Sequence, residues 1–440
     1  MAFVHHQSCE CAKSELDIFS VPGTQTSIES GGWAEYNPIS SLSDSVPIEF
    51  AISGSGNDYM DLANSHIFVR AKITQADGTN IDNTHHVAPV NLLLHSLFSE
   101  VDLKINDTLV SSTNNTYAYR SYIETLLTYG YGAKKSQLGA SMYIKDVAGF
   151  MDNNNPHDAA HLNQGMKDRH AFFEDSHTVD MIGCLHSDLF FQDKYLPSDV
   201  NLRIRLVRNK DAFCLMSAAA ATYKIKIVEC KLLIRKAKLS PSVYVAHAKA
   251  LEIGNAKYPI RRALVKTFTV SRGSLNYNQE NLFSGQIPSR IVVGLVENEA
   301  FNGSYTKNPF NFKHMNLSQL KVYLDGQQQP IRPLEPNFGN GQYIESYMSL
   351  FVGTGKYMKD ESIDITRADF PAGYALYAYD LTPDLADEGG HFNLQREGSV
   401  RLDLKFTQGL PTTINVVVYA EFQNIIELNR NREVIFDYSS

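Results

Sequence analysis

Two clusters along the chain carry the residue types of a metal site. Cys9-Glu10-Cys11 follows His5 and His6, so two thiols and two imidazoles fall in one short stretch, the ligand set that zinc prefers. The C-x-C spacing is tighter than the usual zinc pair, and no second cysteine pair follows. An arm that binds no metal is the plainer reading. His157 and His161 stand four apart, with Asp158 and Asp168 nearby. On a helix the two imidazoles would share a face; in a polar loop they would be solvated. His85-His86, just before Pro89, sits in a polar loop and reads as solvated.

The signatures of common catalysts are missing. There is no G-x-S-x-G nucleophile elbow and no H-E-x-x-H zinc helix. Gly353-Thr354-Gly355-Lys356 is followed by Tyr357, and no glycine stands where a Walker loop needs its first one. That stretch reads as a turn ending a helix. Paired carboxylates in a cleft could hydrolyse a glycoside, but nothing in the spacing brings two together. The expectation is a protein without catalytic, cofactor-binding or metal-binding residues, not an enzyme. One basic run remains. Lys224 to Lys238 holds six basic residues and one acid, alternating with Ile and Leu. It reads as a strand with a basic outer face, solvated or set against an acidic neighbour or nucleic acid.

The chain that must position these groups has 440 residues, enough for two domains of roughly 200 each. Hydrophobic residues make up 43% and charged residues 20%, a globular balance that disfavours extensive disorder. The net charge of −8 disfavours coating of nucleic acid by the whole surface. No stretch approaches the roughly 18 to 20 apolar residues of a membrane span. The first residues lack the basic start and apolar centre of a secretory signal, which implies synthesis in the cytosol. Five cysteines, at 9, 11, 184, 214 and 230, are odd in number and scattered. They imply no disulfide framework, and the last three read as small core residues.

Periodicity assigns the elements. Val46 to Ile52, His66 to Thr74 and Glu100 to Val110 alternate apolar and polar residues, as half-buried strands do. Tyr119, Tyr122, Ile123 and Leu126 instead have helical spacing. The order then repeats. EVDLKIND before the helix SYIETLLTYG is echoed by QLKVYLDG before SYMSLFVGTG. DVNLRIRL is echoed by SVRLDLKF, and IKIVEC by INVVVY. Four echoes in one order argue for a duplicated all-β domain. Eight strand candidates per half, long loops and one mid-domain helix suit two tandem eight-stranded jelly rolls with short helices in the loops. The expected division is an arm over 1–40, a first jelly roll with long loops over 41–240, a linker over 241–256 and a second jelly roll over 257–440. The stretch 130–176 is expected to form a surface tower or intersubunit contact, because loops this long are uncommon unless functional.

The segment LLHSLFSEVDLKINDTLVSSTNNTYAYRSYIETLLTYG (93–130), with LFFQDKYLPSDVNLRIRLVRN further on (189–209), resembles the double jelly-roll major capsid proteins of Polinton (Maverick) elements and adintoviruses. These are similar to the adenovirus- and virophage-like shells. The resemblance spans about residues 35–435. It implies a structural capsid protein. Homotrimers, hexon-like capsomers, would present six jelly rolls as a pseudo-hexagonal tile of an icosahedral shell. The implied partners are the chain itself, neighbouring capsomers, and penton and other minor capsid proteins, with no sequence-specific nucleic acid and no membrane insertion. The implied location is the virion capsid, made in the host cytoplasm and assembled there or in the nucleus. A non-viral β-sandwich module binding carbohydrate or protein is the alternative. Residues 1–35 hold one cation, Lys13, and five acids, so genome neutralisation would fall to another component.

Overall fold

The computed structural model describes residues 5–54, 56–218, 222–387 and 390–438. Strands form where apolar residues alternate with polar ones, because successive side chains point to opposite faces. In Ile48–Ile52, Ile48, Phe50 and Ile52 are buried while Glu49 and Ala51 face solvent. The first half supplies β1 (Ile28–Tyr36), β2 (Ile48–Ile52), β3 (Asp58–Gln75), β4 (Phe98–Ile105), β5 (Thr108–Ser111), β6 (Val179–Gly183), β7 (Leu202–Arg208) and β8 (Tyr223–Leu239). The second supplies β9 (Ala256–Val270), β10 (Asn276–Gln286), β11 (Arg290–Glu297), β12 (Leu317–Leu324), β13 (Gln327–Leu334), β14 (Leu376–Asp380), β15 (Glu397–Phe406) and β16 (Ile414–Leu428).

The first half forms two antiparallel sheets, in the orders β1-β8-β3-β6 and β2-β7-β4-β5. The second forms β9-β16-β11-β14 and β10-β15-β12-β13. Adding eight to each strand number turns one half into the other. Each half is a jelly roll, and each strand echo in the sequence falls on topologically equivalent strands. Inside the first roll, Phe50, Leu103 and Ile204 of one sheet and Val69, Ile73 and Ile225 of the other lie in one buried core. Burying each such side chain stabilises the fold by about 1.5–3 kcal/mol.

The two midpoint helices are also equivalent. α1 (Tyr117–Thr128) joins β5 to β6, and α4 (Ile344–Gly353) joins β13 to β14. Between them in the chain lie α2 (Gln164–Phe173) and α3 (Pro241–Ile253); α3 links the two rolls. Pro241 at its first turn costs no hydrogen bond there.

Two expectations need correction. Strand β1 lies inside the span 1–40 read as an arm, pairing in register with β8 from Tyr36↔Leu232 to Ser30↔Lys238. It is an edge strand with Gly31 and Gly32 and mostly exposed side chains, so it lacks the alternation that marks a half-buried strand. The stretch 130–176 is not simply a tower. Met142, Tyr143, Met151, Met166 and Phe173 are buried, and the segment is wedged against the second roll.

Candidate functional site: the seam between the two jelly rolls

Helix α1 presents two kinds of side chain to the second half of the chain. Tyr119 and Tyr122, three apart, share a face, as helical neighbours do. Tyr122 stacks on Phe310 at 4.1 Å between ring centres, nearly parallel, and Tyr119 stacks on Phe301 at 5.3 Å. Phe213 meets Phe310 edge to face at 6.0 Å. These rings seal the seam with apolar area and offset or T-shaped contacts, each worth about 0.5–1.5 kcal/mol beyond burial.

Arg120 and Glu124, four apart on the same helix, build a polar centre beside the rings. The Arg120 guanidinium is 2% exposed. Its Nε donates to Glu124 Oε1 at 2.9 Å, and its Nη2 donates to Asp188 Oδ1 at 2.7 Å. Asp188 Oδ1 also accepts the backbone N–H of Ala263 in β9, at 3.2 Å. His186 Nδ1 lies 2.6 Å from Glu124 Oε2. From the second roll, the Tyr419 hydroxyl in β16 lies 3.2 Å from Glu124 Oε1 and 2.7 Å from Glu421 Oε1. Arg290 at the start of β11 continues the chain, reaching Glu421 at 3.1 Å and Asp387 at 3.2 Å. Two ion-pair groups thus meet in the buried seam, Asp188–Arg120–Glu124 from the first half and Glu421–Arg290–Asp387 from the second, bridged by the Tyr419 hydroxyl.

The network pushes its two glutamates apart. Burial would raise Glu124, but Arg120 and His186 outweigh it and hold the carboxyl below its ordinary value. At Glu421 burial prevails, reinforced by Asp387, and the carboxyl lies above its ordinary value despite Arg290. Two carboxylates with divergent acidities are the pattern of an acid–base pair. The space beside them decides against that use. The cavity touching Glu124, Arg290, Tyr419 and Glu421 is about 30 Å³, room for water and not for a sugar ring.

The segment 130–176 makes a second polar junction. Arg169 is fully buried, its Nη2 2.6 Å from Asp146 Oδ1 and its Nε donating to the Pro89 carbonyl at 2.8 Å. Asp146 reaches across the seam. Its carbonyl accepts from Tyr374 Oη at 2.7 Å, and its Oδ2 accepts from Asn308 Nδ2 at 3.2 Å. Lys313 in the second half pairs with Asp152 and Glu297, both at 2.7 Å. Lys134 donates to the carbonyls of Leu126 and Ile363, one from each half. Burial pushes this amine down to about 7, with Lys145 adding to the effect and Asp364 opposing it.

The residues singled out by spacing lie elsewhere. Cys9 and Cys11 are exposed free thiols near the start of the chain. His157 and His161 do not share a helical face. They lie in turns before α2 begins at Gln164, because Asn153-Asn154-Asn155-Pro156 breaks any helix there. His161 sits 3.4 Å from Asp158, His157 lies against the rings of His86 and His170, and Asp168 accepts from Gln164. Among the described residues no three His, Cys, Asp or Glu are grouped to hold a metal ion. Cys214 and Cys230 are buried, and burial pushes the Cys230 thiol up to about 12. Gly353-Thr354-Gly355 closes α4 at its carboxyl end, with Gly355 at φ +65°. That end of a helix repels phosphate, which binds at the other.

The basic face of β8 is largely met by β1. Lys231 pairs with Glu35 and Glu229, both at 2.7 Å, and Lys238 with Glu29 at 3.3 Å. Arg235 lies over the Trp33 ring at 4.5 Å, and Lys236 over Tyr36 at 5.6 Å. Strand β1 therefore supplies the acidic neighbour, from within the same chain. No helix is long and apolar enough to cross a membrane among the described residues.

No known protein-family model matches the sequence. The uncharacterized Caenorhabditis elegans protein F54H12.2 is 27% identical over 432 residues, covering 95% of this chain and 99% of that one. Among solved structures, a chain of the Sputnik virophage covers 100% of this chain and 95% of its own, with TM-score 0.65 and 10% identity. The mavirus major capsid protein covers 99% and 97%, with TM-score 0.55 and 10% identity. The Faustovirus major capsid protein covers 93% and 92%, with TM-score 0.57 and 9% identity. The chain has the double jelly-roll fold of viral major capsid proteins. The match runs across both rolls at once.

The sequence reading missed the double jelly roll's seam residues. Arg120 and Glu124 stand at i,i+4 within a helix otherwise apolar on that side, and that was the available signal. Arg120→Met should cost about 3–5 kcal/mol, because it strands Glu124 and Asp188 as buried charges. Urea unfolding measures this, and a loss under about 1 kcal/mol would contradict it. Lys134 gives a pH dependence of definite sign. In the unfolded chain its amine titrates near 10.5, and in the fold near 7. Between those values the unfolded chain holds a proton that the folded chain lacks, so stability rises with pH and falls as pH drops toward 7. The Tm of the protein minus that of Lys134→Met should be larger at about pH 9.5 than at about pH 6.5. Equal differences would refute the assignment.

Proposed function

We propose that this chain is a structural major capsid protein that forms homotrimers. Two equivalent rolls per chain give six around a threefold axis, a pseudo-hexagonal tile that can pave an icosahedral shell. The observation that carries this reading is the repeated sheet order, locked by a buried seam into one two-roll block. A tile must keep its corners in fixed relation, and a flexible hinge between rolls would not. The fold shared with the virophage and Faustovirus chains supports it. The division is proposed as two rolls, 41–240 with β1 added at its sheet edge and 257–440, joined by the connecting helix within 241–256.

The proposed partners are other copies of the chain, then penton and minor capsid proteins at the vertices and joints, with the virion shell as the location. Interfaces between tiles bury aromatic side chains. Trp33, Phe392 and Tyr357, each about half exposed in the single chain, are available for that purpose.

Light scattering after size exclusion tests the reading. A trimer should have about 148 kDa, three times the chain mass of 49.3 kDa. A monomer that persists at high concentration and across salt would contradict it, and would favour a β-sandwich binding module.

A further inference from the structure

Two apolar surfaces are left largely open among the described residues. The first is the arm. Every residue from 5 to 27 is exposed, including Leu16 at 74%, Ile18 at 75%, Phe19 at 93% and Val21 at 86%. Four large apolar side chains within six residues are not scattered surface hydrophobics. The second is α3. This helix buries none of its thirteen residues, although Val243, Ala250, Leu251 and Ile253 are apolar. Together with Ile28, Tyr59 and Tyr258 they line a groove of about 890 Å³.

We propose that the arm of a second copy, through Leu16 to Val21, docks in the α3 groove, so that copies are joined by exchanged arms. This rests on the self-association proposed above and names the surfaces that carry it. Charge favours the pairing. The arm brings Glu10, Glu15 and Asp17 against a single Lys13. The groove and its helix bring Lys194, Lys249 and Lys257 against Asp193 and Glu252.

Geometry favours a second copy over the arm's own chain. The arm is rooted at the groove: the Ser240 N–H, just before α3, donates to the Ser27 carbonyl at 2.9 Å. An extended chain advances about 3.3 Å per residue, so a fully extended arm would carry Val21 about 20 Å beyond Ser27. A helix of thirteen residues is also about 20 Å long. An extended arm therefore spends the length of its own α3 before its apolar segment begins. Exchange in one rotational sense around three copies closes a ring and covers every arm and every groove.

The test places the two sides of the contact on different chains. With Cys9 and Cys11 replaced by serine, one chain carries Phe19→Cys and a second, of distinguishable tag length, carries Ile253→Cys. Both positions are exposed in the single chain, so neither change disturbs a core. Co-expression and mild oxidation should give a disulfide-linked species holding one chain of each kind. Phe19→Asp should raise the concentration at which half the protein is associated at least tenfold, with an unchanged Tm of the single chain. Trimers that form without any mixed disulfide would overturn the arm proposal and leave the capsid reading standing. In a parallel double variant with Phe19→Cys and Ile253→Cys on one chain, a disulfide formed only within that chain would also overturn it, in favour of an arm folded onto its own groove. A protein that stays monomeric would end both.

Discussion

The architecture depends on keeping one guanidinium dry. Arg120 sits in the seam at 2% exposure, and a lone buried cation there would be prohibitively costly. It is tolerated because Glu124, one turn along α1, and Asp188 each give it a charged hydrogen bond. Those acids are satisfied in turn by groups from the other half, the Tyr419 hydroxyl and the Ala263 amide. Neither roll can leave without stranding charge. A purely apolar seam would tolerate sliding. A polar network with fixed donors and acceptors does not, so it sets the register of the two rolls while the Tyr122–Phe310 stack supplies apolar burial.

This division of labour explains why one half of the chain is longer. In a duplicated fold the two rolls need a joint, and here an insertion adds to what α1 and the strands β9, β11 and β16 already supply. That insertion follows α1 in the first roll. Asp146, Asp152, Lys134 and Arg169 all come from 130–176, and three of them bond to the second half directly. The outer face of β11 is buried along with its inner face from Arg290 to Val296. The run RIVVGLVE is accordingly apolar on both faces, as strands covered on two sides are.

Most of this fold could be read from the sequence, and the gaps follow a rule. Strands in sheet interiors, such as β7, β8 and β15, bury close to every second residue and so carry a period-two signal, while β16 is buried throughout its first half and reads as a continuous apolar run. The strands that escaped reading are β1, β10 and β13, all at sheet edges. An edge strand has one neighbour and more solvent, so β13 tolerates Pro330 and Pro333 among glutamines, and β10 reads NYNQENLFSGQ. The seam was less legible. Arg120 and Glu421 lie 301 positions apart in the chain, and nothing local marks them as members of one network. Histidine and cysteine spacings drew attention because metal ligands have local motifs, whereas a domain interface has none. The stretch 130–176, read as a surface tower or intersubunit contact, also packs against the second roll for a reason no local signal shows: a long polar loop looks alike whether it faces water or a second domain.

The account's central claim is that each chain is a rigid pair of equivalent rolls, so that a ring of three chains has six corners. Electron micrographs of the purified protein, averaged into classes viewed down the particle axis, test it most directly. The expected projection is a hexagonal outline with six densities of similar size, in which alternate densities differ only in loop detail. A three-lobed outline, with one roll of each chain displaced from the ring, or isolated two-roll particles with a variable angle between the rolls, would contradict it.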